Sequence, residues 1–440
     1  MLFRSVDLAI VGAGAAGLMA AWSAVSTAEG SGLSVRLFER REKSGRKLLA
    51  AGNGRCNLGH SGPLAGHYRG QDPNFVLPVF TLVPEEDYRR IFLDLGVPLL
   101  EDEAGRLYPR TMRSDTVSNA LLNALTARSV RIDCGLEVYE IRPDTSTEEN
   151  GFILSFRSNT GASKDKKARS TKENIQGQIR ARRVIIASGG KSQPQLSGHD
   201  SGYFLAESLG HSCTELLPAL VPLELDDVGA WKRASGQRVR ASAYYSSRSG
   251  QPSSRSEGEF LFTDYGVSGI AAMELSEAVA KDRSEIKGDL IFDLCPDFSE
   301  EELSQFILRQ IELHPEYDWE ALLLGLLPLN LLIILLRDLK ADDKIEKSEK
   351  GAIFMAGVLK EVKRPVRGTR GFDFAQVTAG GIKTAEIDPE SLESKICPSL
   401  YLVGEILDVN GDTGGYNLRW AFSSAYVAGK NVASSLLERN

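Results

Sequence analysis

The sequence predicts an α/β protein in which a Rossmann-like dinucleotide-binding domain is built from both ends of the chain, interrupted by an insert with a β-barrel-like part and a helical part. Three observations carry this. A strand–glycine–helix–strand unit opens the chain, a glycine-rich strand–helix unit closes it, and the text between them turns first to short alternating strands and then to helices. At 440 residues there is room for two or three domains of roughly 100 to 200 residues each. The expected divisions are 1–215 for the first dinucleotide-binding segment, 216–298 for the β insert, 299–364 for the helical insert and 365–440 for the return.

The opening unit is compact. "VDLAIV" (Val6 to Val11) reads as a buried strand, "GAGAAG" (Gly12 to Gly17) follows at once, "LMAAWSAV" supplies an apolar helix face, and "SVRLFER" (Ser34 to Arg40) is a second strand. Gly12 allows the tight turn, Gly14 lets backbone approach a pyrophosphate, and Gly17 allows close packing, with the helix N-terminus favouring the phosphate charge. Glu39 ends the second strand roughly 20 residues beyond Gly17, where a carboxylate accepts hydrogen bonds from a ribose.

A polar, loop-rich segment runs to about Pro84, followed by helices near Glu85 to Leu95 and Thr111 to Ala127. Strands resume at "VRIDCGLEVYEI" and "GFILSFR". The lysine-rich stretch Ser158 to Gln178 has no apolar face and reads as a solvated hairpin extension or mobile loop. "ARRVIIASGG" (Ala181 to Gly190) is a strand ending in small residues, strands alternate from about Leu216, helices run from Glu300 to Leu339, and glycine-rich α/β text returns near Pro365. No internal repeat is visible.

Composition excludes several classes. Lys and Arg number 52 against 59 Asp and Glu, a net charge of −7, which gives no reason to expect nucleic acid or an anionic membrane as partner. Asp7 interrupts the N-terminal apolar run, so no secretory signal is expected and a cytoplasmic location is. The longest apolar run, Ala321 to Leu336, falls short of the ~20 residues a span needs and holds Pro328 and Asn330, so a buried or interface helix is expected. The five cysteines and five histidines are scattered, with neither C-x-x-C nor H-E-x-x-H, and no metal site is expected.

The kind of dinucleotide follows from the return. There is one G-x-G-x-x-G, and the chain ends on "LYLVGEILDVNGDTGGYNLRWAFSSAYVAG" (Leu400 to Gly429). A strand ends at Gly404, Glu405 and Asp408 follow, and Gly411, Gly414 and Gly415 precede a helix starting near Tyr416 to Leu418. Such a helix N-terminus suits the electron-rich edge of a reduced flavin, which points to FAD. Without a second dinucleotide motif, NADH or NADPH would bind only transiently beside it.

At this point the chain resembles the HI0933-like (BaiN/YhiN-like, aminoacetone oxidase-like) family of FAD-dependent flavoproteins. The residues responsible are "GAGAAGLMAA", "ER" with "GRKLLAAGNGRCN", "IIASGGKSQP" with "DSGY", "GEFLFTDYGVSG", "VTAGGI" and the C-terminal motif. The resemblance implies that Gly12, Gly14, Ala15, Ala16, Gly17, Glu39 and Arg40 hold the ADP half, with Gly45, Arg46 and Lys47 near its ribose and phosphates. It implies that the loop Gly52, Asn53, Gly54, Arg55, Cys56, Asn57 passes beside the isoalloxazine. Val138 would meet adenine through its backbone, and Ala187, Gly189 and Gly190 would lie near the pyrophosphate. Gly404, Glu405 and Asp408 fall near the ribityl phosphate, and Gly415, Tyr416, Asn417 and Leu418 near the flavin pyrimidine.

Two departures stand out. Asp264 and Ile270 replace a histidine and a proline of the family pattern, and Arg419 replaces a glutamine. Asp264 is therefore either a general acid/base or an exposed turn carboxylate. Arg419 is either a cation that stabilises the reduced ring or an outward helix residue. Arg55 and Arg46 are candidates to meet phosphate or a substrate carboxylate. Asn57 joins Arg55, Asp264 and Arg419 as a catalytic candidate. Tyr416 either packs on the ring or anchors its helix. Cys56, without a partner thiol, reads as a small buried side chain rather than a reactive one.

The expected function is an FAD-dependent oxidoreductase moving a hydride through flavin N5, an NAD(P)H-linked reduction or oxidation of a small organic substrate. An oxygen-dependent amine oxidase and a flavin-dependent RNA-modifying protein are the alternatives; substrate and oligomeric state stay open.

Overall fold

A computed structural model describes residues 5–145, 151–159, 175–226, 229–250 and 252–438. Most of the lysine-rich stretch after Ser158 lies outside them. The chain forms two compact units, one made of residues 1–216 with 377–440 and the other of residues 217–376.

In the first unit β1 (Ser5–Val11) runs into α1 (Ala15–Thr27) and β2 (Val35–Glu39). Next come α2 (Glu85–Asp94), α3 (Ser114–Ala127), β3 (Arg131–Cys134), β4 (Leu136–Asp144), β5 (Gly151–Ser158) and β6 (Gln176–Ile186). The second unit supplies β7 (Leu223–Leu225), β8 (Arg238–Ser246), β9 (Ser256–Phe262), β10 (Gly266–Ser268) and β11 (Asp289–Asp293). It continues with α4 (Glu300–Leu313), α5 (Leu329–Leu339), α6 (Glu349–Lys360) and β12 (Val362–Thr369). The return adds β13 (Leu400–Leu402) and α7 (Tyr416–Leu437).

The main sheet runs β3-β2-β1-β6-β5-β4, and β13 pairs with β6 beyond β5. The pairs β3–β2, β2–β1, β1–β6 and β6–β13 are parallel, whereas β5 and β4 form an antiparallel extension. Parallel strands covered on both faces read as unbroken apolar runs. Leu8, Ala9 and Ile10 of β1 and Val184, Ile185 and Ile186 of β6 are accordingly buried outright. Helices α1 and α7 cross so closely that a Cβ on Gly429 would come 2.3 Å from the Ala20 carbonyl oxygen. Ser23 Oγ ties the crossing by donating to the Tyr426 carbonyl at 2.7 Å. The end of the chain thus belongs to the same core as its beginning.

The second unit is a closed barrel, β7-β10-β9-β8-β11-β12, with Phe260, Phe262 and Phe292 inside. Its helices share that core; α4 starts on a capping box between Ser299 and Glu302. The return begins later than the sequence suggests. Pro365 and Gly368 look like breakers, yet β12 carries both and closes the barrel, with Pro365 opposite Asp289 and Val362 and Val366 buried. The first unit therefore resumes at Val377 instead of residue 365. The apolar run breaks at Pro328 into a short helix, Trp319–Leu323, and α5, whose Leu331, Leu332 and Leu335 are buried. Among the described residues no helix is long and apolar enough to cross a membrane.

Candidate cofactor and active site

The glycine hexapeptide divides into two packed positions and one open one. A Cβ at Gly12 (φ +103°) would sit 2.4 Å from the Ala187 carbonyl oxygen, and one at Gly17 would sit 1.8 Å from the Gly12 oxygen. Gly14, the N-cap of α1, has no atom within 4 Å of such a Cβ. The turn is thus closed by backbone against backbone, while the helix N-terminus stays open to a ligand, whose negative charge its dipole favours.

Charge gathers beside this opening. Buried Glu39 accepts from the Ala13 N–H at 3.1 Å and the Arg41 N–H at 2.8 Å. Burial raises its pKa in spite of these bonds and of the nearby Arg40 and Arg41 charges. Arg41 donates to the Pro194 carbonyl, Arg46 to the Gln195 carbonyl at 3.2 Å. Burial lowers the Arg41 pKa, and Arg40 and Arg46 lower it further. Arg40 reaches Glu137 only at 3.9 Å, and its Nε and Nη1, like Arg41 Nε, are buried without a hydrogen-bond partner. Mutually repelling guanidiniums with unbonded donors next to an open helix N-terminus fit the anionic half of a dinucleotide.

Elsewhere in the same unit, the "NGRCN" loop meets the start of α7. A Cβ on Gly415 (φ +103°) would lie 2.4 Å from Asn57 Oδ1 and 2.6 Å from the Gly59 carbonyl oxygen, so only glycine fits. Asn57 Oδ1 is buried without a hydrogen-bond partner. An open acceptor at a helix N-terminus suits a ring that presents both N–H and electron-rich edges, as flavin does.

Tyr416 is buried and its ring lies near-parallel to two imidazoles, His60 at 5.2 Å and His67 at 4.4 Å between centroids. Tyr68 Oη donates to its carbonyl at 2.9 Å. The strand pair Tyr68–Arg69 with Asn410–Gly411 brings this cluster together. His67 Nδ1 lies 3.0 Å from Asp412 Oδ2, the Asp412 N–H donates to the His67 carbonyl at 2.9 Å, and Arg69 completes the group by pairing with Asp412.

Several predicted residues have other partners. Lys47 is paired with Glu405 at 2.8 Å and donates to Ser192 Oγ at 2.6 Å, so its charge is taken up by protein. Glu405 also accepts from the Thr378 N–H at 2.9 Å. Asp408 is buried and accepts from the Gln71 N–H at 3.1 Å. The Asn417 amide is occupied by the Gly411 N–H and the Gly411 and Asp412 carbonyls. Leu418 is half-buried against the core.

Arg419 is not outward. It is 1% exposed, donates to the Val83 carbonyl at 2.7 Å and stacks 3.7 Å from the Tyr88 ring centre. The Tyr88 ring and the Val83 carbonyl, rather than solvent, meet the guanidinium, whose Nε and Nη1 are buried without a hydrogen-bond partner, and burial lowers its pKa. Arg55 is exposed, with no ion pair among the described residues. Cys56 is fully buried and its thiol is pushed up to about 12 by burial, which disfavours the thiolate.

Val138 is buried in β4 at a register shift, and Ala187 is buried beyond β6. Gly190 leaves no room for a side chain beside Thr378 and Glu405. Asp264 lies exposed in the bend between β9 and β10 of the barrel. Among the described residues no group of three or more His, Cys, Asp or Glu is placed to hold a metal ion. Sequence reasoning missed Arg41, His60, His67 and Asp412. The alternation in "HYR" was the available signal, since an inward Tyr68 puts His67 and Arg69 on one face.

An open helix N-terminus beside unbonded guanidiniums and a second helix N-terminus beside an unbonded amide oxygen, in a sheet of Rossmann type, belong to the class of FAD-dependent oxidoreductases. Residues 6–431 match the HI0933-like protein Rossmann domain. The chain belongs to that family. It is 32% identical to the 3-dehydro-bile acid delta(4,6)-reductase of Clostridium scindens, over 97% of this chain and 98% of that one. It is 27% identical to the ribosomal RNA dihydrouridine synthase of Haemophilus influenzae, over 96% and 98% of the two chains. Among solved structures, a 3-ketosteroid-delta4-(5alpha)-dehydrogenase from Rhodococcus jostii aligns with a TM-score of 0.47 at 16% identity, covering 98% of this chain and 97% of that one.

Proposed function

We propose that this protein reduces a carbon–carbon double bond conjugated to a carbonyl in a small molecule, with NADH or NADPH as a transient electron source. The observation that carries the reading is the end-to-end similarity to a reductase whose name specifies double bonds in a 3-oxo steroid. The dihydrouridine synthase name also describes saturation of a C=C bond. The net charge of −7 favours a small molecule over RNA.

Gly12 to Gly17, Glu39, Arg40 and Arg41 would hold the ADP half of FAD. The loop from Gly52 to Asn57, with Gly415 and Tyr416, would hold its ring. When bound, FAD supplies the hydride equivalent; the chain's own groups bind and orient substrate, exclude water and deliver the proton. The test is anaerobic: flavin reduced by NADH or NADPH is mixed with a 3-oxo-4-ene steroid, with ribosomal RNA or with oxygen. Fast reoxidation by the enone is expected. Reoxidation by RNA alone, or by oxygen alone, overturns the reading.

A further inference from the structure

Saturating a conjugated C=C requires a hydride at the carbon remote from the carbonyl and a proton at the adjacent one. The hydride equivalent comes from reduced FAD; the proton must come from an acid at the site. We propose that His67 is that acid, with Asp412 as its positioning residue, an assignment that rests on the reductase reading above.

The geometry singles out His67 from its neighbours. His60 Nδ1 accepts from the Gly62 N–H at 2.9 Å, and its Cε1 edge is enclosed by Gly105, so its ring serves the hairpin it belongs to. Tyr416 is 4% exposed. His67 has one nitrogen fixed by Asp412 and one face covered by Tyr416, and its side chain is 39% exposed. With Nδ1–H donated to the carboxylate, Nε2 points away from Asp412 and has no hydrogen-bond partner among the described residues. Asp412 is held in turn by Arg69 and by its own N–H on the His67 carbonyl. The result is an imidazole locked in orientation, stacked on the first residue of α7 and open on its donating edge.

In the step, the Nε2–H bond breaks and a C–H bond forms at the carbon next to the carbonyl. The hydride adds to the far carbon as the C=C π bond is lost. His67 is left neutral with Nδ1–H still on Asp412, and solvent reprotonates Nε2 at its exposed edge. Electrons and protons then balance as one hydride and one proton per double bond.

The test compares reduced holoenzyme reoxidised by a 3-oxo-4-ene steroid with the same enzyme reoxidised by ferricyanide, which needs no proton delivered to carbon. His67→Gln is expected to slow the enone reaction about 100-fold or more and leave the ferricyanide rate and FAD content unchanged. Imidazole is expected to restore part of the enone rate to His67→Ala. Nitrogen NMR of the oxidised holoprotein is expected to show His67 protonated at Nδ1, with that signal altered in Asp412→Asn. Equal enone rates in wild type and His67→Gln overturn this inference and leave the reductase reading intact. Wild-type enzyme that no enone reoxidises overturns both. A wild-type His67 without an Nδ1 proton overturns the assignment independently of any variant.

Discussion

Gly14→Ala separates folding from cofactor binding. Gly14 has φ −83° and ψ −165°, which alanine adopts without strain, and its added methyl would meet no protein atom within 4 Å. The protein loses only the N-cap preference for glycine over alanine, about 0.5 kcal/mol, which lowers the apoprotein Tm by about 1–2 °C in a chain this long. A phosphate seated on the α1 N-terminus, however, would meet the methyl, and overpacking of that kind costs ~1–3 kcal/mol. At 1.4 kcal/mol per tenfold, FAD affinity should fall by about 5- to 150-fold. Gly17→Ala is the contrasting variant. Its methyl would lie 1.8 Å from a backbone oxygen, so the apoprotein itself should melt many degrees lower or fail to fold. Scanning fluorimetry of the apoproteins and quenching of FAD fluorescence measure the two quantities. Gly14→Ala that binds FAD like wild type, or that melts as early as Gly17→Ala, would refute the reasoning.

Three further outcomes are expected. With its thiol pushed up to about 12, Cys56 should resist iodoacetamide at pH 8 while exposed Cys134 is labelled, and Cys56→Ser should keep its FAD; early labelling of Cys56 counts against this. Asp282, bonded by the Ser284 side chain, the Tyr245 hydroxyl and the Ser284 N–H, is held down to about 2 from the ordinary 3.8. A lowered carboxylate stabilises above its unfolded value and stops doing so as pH falls through the folded one. The wild-type Tm should therefore fall between pH 3.8 and about 2 more steeply than that of Asp282→Asn, and parallel curves would exclude the link. Arg419→Met should move the flavin midpoint potential by less than about 30 mV, equivalent to about 1.4 kcal/mol for two electrons, because the guanidinium donates to Val83 and stacks on Tyr88; a drop of twice that size would place its unbonded Nε and Nη1 at the ring.

The sequence announces the Rossmann unit because its signals are local. A buried parallel strand is a run of apolar residues, and the glycine spacing lies within six positions, although the neighbour that requires Gly12 is the distant Ala187. The closing strand of the barrel is less legible, since Pro365 and Gly368 carry the local signature of a break and only the pairing with β11 and β7 overrides it. Arg419 could not be placed from helical periodicity, because what receives it is Tyr88, on a different helix. The His67–Asp412 pair was invisible for a similar reason. Its members are far apart in sequence and meet through strands of two residues each, too short to show any pattern.

The β6–β13 pairing and the α1–α7 crossing also set a schedule for synthesis. Residues 217–376 leave the ribosome as a contiguous length with its own core and are free to fold on emergence. The segment made before them has to wait until Leu400 to Leu437 arrive, with part of β6 and one side of α1 uncovered in the interval. Long-range closure of this kind is slow and exposes apolar edges to aggregation. A ribosome that stalls while translating Leu400 to Leu437 would therefore release a chain with a finished insert and an unfinished flavin domain, making that stretch the point at which this enzyme becomes vulnerable to proteolysis or is rescued by a chaperone.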